Sequence, residues 1–306
     1  MEGDAPVTAT YVKAGSIEDA VRALSEGARA VAGGTDLVVG ARQGKSPLPD
    51  SLVAIHDVAD LRGIEETDAG LVLRALATHE QLVEHPAVRE RFTALADASA
   101  IVGSHATRYV GTIGGNVMNA SPAMETGGPL ICFGAVARLV STGGEREVPL
   151  DELFTGPGST TARPDELLTQ VLLPSPAAGT GSCYVRLEYR RQMEIAVVGA
   201  TCLVRLEDGV VADSRFAITA LAPTIRRVPE AERALTGTDG GADAVRRAAD
   251  AVAEASQPIS DVRGSDRYRR AMAAVMARRA ASSAIARAGG GDVPIPASPA
   301  LHGAAD

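Results

Sequence analysis

The sequence predicts an α+β protein of two domains, and three observations point there. Its 306 residues correspond to about two domains at roughly 150 residues each. The first half alternates helix and strand signals. The second half runs strands first and helices last, behind a Pro/Gly/Ser-rich stretch at 174–182, PSPAAGTGS. A hydrophobic fraction of 45% is enough to give each half a buried core.

The elements follow in order. Ser16-Ile17-Glu18-Asp19 has the pattern of a capping box opening a short helix through Leu24, with Gly27 as its stop. Residues 29–32 form a strand. Gly33-Gly34-Thr35 leads into a helix from Asp36 to Arg42, and 51–58 is a further strand. Residues 63–76 form a hairpin turning at Asp68-Ala69-Gly70. Thr78-His79-Glu80-Gln81 is a second capping box, opening a helical stretch broken at Pro86 and ending near Ser99. A Gly-rich loop covers 110–128, then a short apolar helix. A hairpin turns at Gly143-Gly144, a loop-rich stretch spans 155–164, and 167–174 is a strand. Beyond the linker, strands surround a hairpin at Glu207-Asp208-Gly209. Three helices follow, the last from Asp266 to about Ala288. Residues 289–306 are Gly/Pro/Ala-rich and are expected to be a disordered tail.

Composition removes several function classes. Thirty basic against 38 acidic residues give a net charge of -8, which is no basis for binding nucleic acid or an anionic membrane. Aromatic residues are 3% with no Trp, so base-stacking platforms are absent. Three cysteines, Cys132, Cys183 and Cys202, make no disulfide framework and no four-thiolate iron–sulfur site; all three read as core. The N-terminus is acidic and polar, unlike a signal peptide, and no apolar run reaches the ~18 residues of a membrane span. A cytoplasmic protein is expected. The five histidines show no metal-ligand spacing, and no G-x-S-x-G nucleophile elbow occurs.

Three segments have the glycines that phosphate recognition requires. VGARQGKS at 39–46 is one residue short of a P-loop and reads as a helix stop. Ala32-Gly33-Gly34-Thr35-Asp36 and Thr112-Ile113-Gly114-Gly115-Asn116 are better. Paired glycines let successive N–H groups converge on an anion, and two such nests suit the two ends of a pyrophosphate. The alternative for each pair is a tight turn. Glu188 and Glu194 are close in sequence, but an acid–base pair needs a geometry that sequence does not supply.

AGGTDL at 32–37 and TIGGNVMNASPAME at 112–125 together resemble the two flavin-binding motifs of the FAD-binding medium subunit of molybdenum hydroxylases. Xanthine dehydrogenases and aerobic carbon monoxide dehydrogenases belong to that family. The resemblance continues through 164–174, 186–200 and 260–280 and so spans almost the whole chain. It implies a PCMH-type FAD-binding domain at 1–176, with subdomains of about 1–56 and 57–176. A C-terminal flavoprotein domain at 177–288 would follow, with a three-stranded antiparallel sheet and a helical bundle.

Residue by residue, the resemblance assigns Val31, Ala32, Gly33, Gly34, Thr35, Asp36 and Leu37 to the pyrophosphate. Thr112, Ile113, Gly114, Gly115 and Asn116 become the second pyrophosphate and ribityl contact. Val102 falls near the adenine half. Glu125, where the family usually has Asp, binds a polar part of the cofactor. Leu168 is an apolar wall, Arg186 a basic group near the flavin, and Ile195, beside Glu194, lies against the isoalloxazine.

The implied function is an oxidoreductase component. Electrons arrive from two [2Fe-2S] clusters on a small subunit, fed by a molybdopterin-bearing large subunit. They leave through FAD to NAD, oxygen or a quinone. A dimer of heterotrimers is the implied assembly. The competing readings are a self-contained PCMH-type FAD oxidase and a non-catalytic nucleotide-binding assembly module. The first is disfavoured because the second domain lacks a histidine before His302 that could tether FAD. On the resemblance, Gly114→Val or Gly34→Val should abolish FAD retention and leave the chain folded, because a Cβ blocks close backbone approach. Normal flavin content in both variants would remove the site assignment.

Overall fold

The structure is a computed structural model of the chain and describes residues 10–44 and 46–298. The N-terminal unit contains β1 (Thr10–Lys13), α1 (Ile17–Ser25), β2 (Arg29–Val31), α2 (Leu37–Arg42) and β3 (Ser51–Ala54). Its three strands are parallel, in the order β1-β3-β2. Ser16 caps α1 by accepting from the Asp19 N–H at 3.1 Å. Asp19 leans back to the N–H of Gly15 rather than to Ser16, so the box is half closed. β3 stops four residues before the pattern suggests, because 55–58 form a turn with Val58 N–H on the Ile55 carbonyl. Parallel strands place all three carboxyl ends on one edge, and the first glycine motif leaves β2 there.

The second unit contains β4 (Ile64–Thr67), β5 (Gly70–Arg74), α3 (His79–Glu84), α4 (Pro86–Arg91), α5 (Thr93–Ala100), α6 (His105–Val110), α7 (Ile113–Asn119) and α8 (Gly127–Cys132). It continues with β6 (Val136–Ser141), β7 (Gly144–Pro149), α9 (Leu150–Leu153), β8 (Phe154–Gly156), β9 (Ser159–Thr160) and β10 (Leu167–Pro174). Its main sheet is antiparallel, ordered β4-β5-β10-β6-β7. The capping box at Thr78 is complete: Gln81 N–H donates to Thr78 Oγ1, and Thr78 N–H donates to Gln81 Oε1. The helical stretch behind it breaks at Phe92 as well as at Pro86. Phe92 turns into the core, where its ring meets Phe133 edge-on at 4.9 Å. The stretch expected to be loop at 155–164 carries the small β8–β9 hairpin.

The third unit contains β11 (Thr180–Leu187), β12 (Val198–Glu207), β13 (Val210–Thr219), β14 (Arg226–Arg227), α10 (Pro229–Leu235), α11 (Ala242–Ala255) and α12 (Asp266–Ala288). The expected three antiparallel strands gain a two-residue fourth, β14. Asp208 and Gly209 both have positive φ, the turn an Asp-Gly pair favours between strands. Few aromatics are needed because the helices approach through alanine. Ala273, Ala277, Ala280, Ala281 and Ala284 of α12 are all buried. Gly181 of β11 lies so close to α12 that a Cβ there would overlap the Ala284 carbonyl. Among the described residues no helix is long and apolar enough to cross a membrane.

Residues 289–298 correct the expected tail. Ala297 and Ser298 are buried, and this segment closes over Asp97 of α5; residues 299–306 lie outside the described residues. Asp97 is fully enclosed and accepts from Arg287 of α12 at 2.6 and 3.0 Å, from Tyr184 N–H at 3.2 Å and from Ala297 N–H at 3.0 Å. Four donors compensate the desolvation of one carboxylate. Removing only the cation leaves that charge uncompensated. Arg287→Met should therefore cost about 3–5 kcal/mol in urea unfolding, with much of the loss recovered in Asp97→Asn/Arg287→Met. An unchanged midpoint for the single variant would count against the clasp.

Candidate functional site

The two glycine motifs meet at the carboxyl edge of the parallel sheet, but they are built differently. In the first, Gly34 adopts a φ of +67°, a left-handed turn that favours glycine. Gly33 lies so close to the end of α6 that a Cβ would overlap the Val110 carbonyl oxygen. The backbone N–H groups of Gly33, Gly34, Thr35, Asp36 and Leu37 donate to no protein acceptor among the described residues. Five consecutive donors without acceptors, on half-exposed chain, suit a polyanion.

The second motif corrects the expectation of a second nest. Thr112 caps α7, so Gly114 and Gly115 form its first turn. Their donors are already engaged. Ile113 N–H goes to Ala77 O and Gly114 N–H to Ala75 O, both at 2.9 Å. Gly115 N–H goes to Thr112 Oγ1 at 3.1 Å. Gly114 serves packing, since a Cβ there would fall 2.7 Å from the Ala75 carbonyl oxygen. Gly115 is exposed, and a Cβ there would meet only Thr112 Oγ1, at 3.0 Å. The surface this motif offers is the Gly115 backbone and the half-buried Asn116 side chain.

The floor between the motifs is narrow. Thr78 bridges Thr112, and His79 N–H donates to Gly111 O at 3.1 Å. The Thr35 hydroxyl lies 3.6 Å from the place a Gly111 Cβ would take. Beneath it His79 is buried, with Nδ1 unpartnered among the described residues. Burial, reinforced by the nearby Arg108 charge, lowers its pKa to about 4, so the ring is neutral. Arg108 itself donates to Glu80 at 3.1 Å.

The other expected contacts are distributed around this cleft. Val102 sits in the turn after α5. Beside it, Gly103 O accepts from Met193 N–H at 2.8 Å, which draws the 188–197 loop and half-exposed Ile195 towards α6. Met193 has a φ of +53°, uncommon for a residue with a Cβ. Leu168 is not an open wall: it is a buried β10 side chain in the core shared with Ile113 and Val117 of α7. Arg186 is fully buried on β11. Its guanidinium donates to Glu125 and Glu188, each at 2.5 Å, and to Glu194 O at 3.3 Å. Glu125 is therefore committed to Arg186, which joins the turn before α8 to the C-terminal sheet. One cation between two carboxylates leaves excess negative charge in a low dielectric. Burial accordingly pushes the Glu125 carboxyl up, against the pull of Arg186.

Sequence reasoning left Thr126 and the Arg186–Glu188 contact out of the site. No motif marks Thr126. The i,i+2 spacing at the end of β11 was the available signal for Arg186 and, just past the strand, Glu188.

A parallel α/β cradle with an acceptor-free N–H loop, closed by an antiparallel-sheet domain, defines a dinucleotide-binding protein of two-lobed α+β type. Residues 6–176 match the model for the FAD binding domain in molybdopterin dehydrogenase, and residues 184–284 match the CO dehydrogenase flavoprotein C-terminal domain. The chain belongs to the FAD-binding medium subunits of the xanthine dehydrogenase and CO dehydrogenase family, which are oxidoreductase subunits. It is 33% identical to the carbon monoxide dehydrogenase medium chain of Afipia carboxidovorans over 92% of this chain and 99% of that one. It is 29% identical to a putative xanthine dehydrogenase FAD-binding subunit of Escherichia coli, over 92% and 98%. Among solved structures, reconstituted CO dehydrogenase from Oligotropha carboxidovorans superposes with a TM-score of 0.87 at 31% identity, covering 91% of this chain and 98% of that one. Quinoline 2-oxidoreductase from Pseudomonas putida 86 gives 0.86 at 25%, covering 91% and 97%.

The neutral His79 makes stability depend on pH. Its folded pKa lies below the unfolded value of about 6.5, so the unfolded chain gains the proton first and stability falls as pH drops from 6.5 towards 4. Between pH 7 and pH 5 this contributes a loss of about 2 kcal/mol. His79→Gln should flatten that slope in urea titrations at the two pH values; parallel curves for variant and parent would refute the assignment.

Proposed function

We propose that this chain is the FAD-carrying electron-transfer subunit of a molybdenum hydroxylase complex. The observation that carries the reading is the run of five acceptor-free N–H groups from Gly33 to Leu37 at the carboxyl edge of the parallel sheet. Its partners are a molybdopterin-binding large subunit and a [2Fe-2S] small subunit, in a dimer of heterotrimers. The electrons pass from the clusters to an acceptor such as NAD, oxygen or a quinone.

Bound FAD supplies uptake of single electrons and their release as a pair. The chain's own groups bind and orient. The N–H groups of 33–37 hold the pyrophosphate, whose charge needs donors that do not have to abandon protein partners. Asn116 and the Gly115 backbone contact the cofactor from the opposite wall. Val102 and Ile195 supply apolar contact, brought to one side by the Met193–Gly103 hydrogen bond. Arg186 keeps its charge because Glu125 and Glu188 outweigh the cost of burial. It acts on the cofactor through the field of this cluster and through the position of Glu125.

The test is a visible absorption spectrum of the purified chain before and after denaturation, with chromatography of what is released. Released FAD is expected, about one per chain; a chain that neither carries FAD nor binds it on titration would overturn the reading. The glycine variants sharpen it. Gly115→Val should stay folded by circular dichroism and lose FAD affinity. Gly114→Val, expected from the sequence to leave the chain folded, should instead fail to fold, because its Cβ meets Ala75 rather than the cleft.

A further inference from the structure

Thr126 is fully buried at the N-terminal boundary of α8. A threonine there ordinarily turns its hydroxyl onto the helix and satisfies a free N–H. This one makes no such cap. Its Oγ1 instead donates to Asn116 Oδ1 of α7 at 2.6 Å, a short contact between α7 and the start of α8. A carboxamide has one acceptor end and one donor end, and fixing one fixes the other. With Oδ1 engaged by Thr126, the Asn116 NH2 group is the end left for another partner. It donates to no protein acceptor among the described residues and lies beside exposed Gly115.

Asn in a helix interior has poor propensity, and its amide, left alone, samples both orientations. Only one orientation offers two donors to an anionic or hydroxyl-rich ligand. We propose that Thr126 is a positioning residue that locks the Asn116 carboxamide so that its NH2 group faces the cofactor cleft. This rests on the reading of the cleft as the FAD site. The preceding residue, Glu125, is held from the other side by Arg186, so one dipeptide transmits the placement of the C-terminal sheet to α7.

The experiment uses the full chain stripped of flavin and titrated with FAD, with Kd read from flavin fluorescence. Melting temperature is measured for every variant. Thr126→Val keeps the shape and removes the donor; FAD affinity should fall about tenfold, the equivalent of one hydrogen bond. Thr126→Ser should restore it. Adding Thr126→Val to Asn116→Ala should change nothing further, because the hydroxyl acts only through that amide. The proposal is overturned if Thr126→Val binds FAD like the parent, or if it weakens binding equally with and without Asn116. It is also overturned if serine fails to rescue while the melting temperature is restored. A parent chain that does not bind FAD overturns the site reading together with the proposal; a binding parent with an indifferent Thr126→Val overturns the proposal alone.

Discussion

Backbone-to-backbone contact is the constraint on which the site depends. Gly33 packs directly on the Val110 carbonyl, and Gly114 packs directly on Ala75. The first contact sets the parallel three-stranded unit against α6; the second sets α7 against the end of β5. No side chain fits at either place. The cleft between the motifs is therefore defined by peptide groups, whose positions vary far less than those of side chains. A ligand with charge spread over a pyrophosphate is well matched to such a rigid frame, because preorganised donors lose little entropy on binding.

Ionic contacts connect this frame to the C-terminal domain. Arg287 on Asp97 ties α12 and the 293–298 segment to α5, while Arg186 on Glu125 ties β11 to the turn before α8. Both arginines are buried, and neither pair is a surface ornament of the 0–1 kcal/mol kind. Buried pairs of this type are poor sources of net stability but strong guards of register, since any displacement strands a charge. That property suits a two-domain clamp: the sheet can be shifted only by breaking an ion pair. It also explains how the Glu125 side chain is accommodated at a buried position. Its carboxylate ends on Arg186.

Most of the fold was legible because its signals are local. Ser16 and Thr78 cap helices, Asp208-Gly209 turns a hairpin, and α12 runs from Asp266 to Ala288 as its pattern indicates. The site was legible in its first motif, where a glycine pair between strand and helix has one ready conformation. The second motif was misread as a nest. Nothing in Ile113-Gly114-Gly115 announces a helix, since two glycines oppose one. The decision comes from outside the segment: Thr112 caps it, and the carbonyls of Ala75 and Ala77, nearly forty residues earlier, take the first N–H groups. The same is true of residues 289–298, whose Gly/Pro/Ala composition reads as tail. Their order comes from Asp97, some two hundred residues away, which no local window contains.

The asymmetry between the two motifs carries a physical consequence. A pyrophosphate gripped by N–H groups on both walls would require each wall to hold donors without partners, and the empty cleft would leave them all to water. Here only the 33–37 loop does so, and that loop is half exposed, so solvent can serve its donors when no ligand is present. The opposite wall, α7, has its backbone donors satisfied internally and offers the proposed ligand only exposed Gly115 and the half-buried Asn116 amide. On the proposed reading, the 33–37 loop holds the charge and α7 sets position. In such a division affinity depends on backbone donors that substitution cannot easily remove. Placement depends on Asn116 and on whatever fixes it.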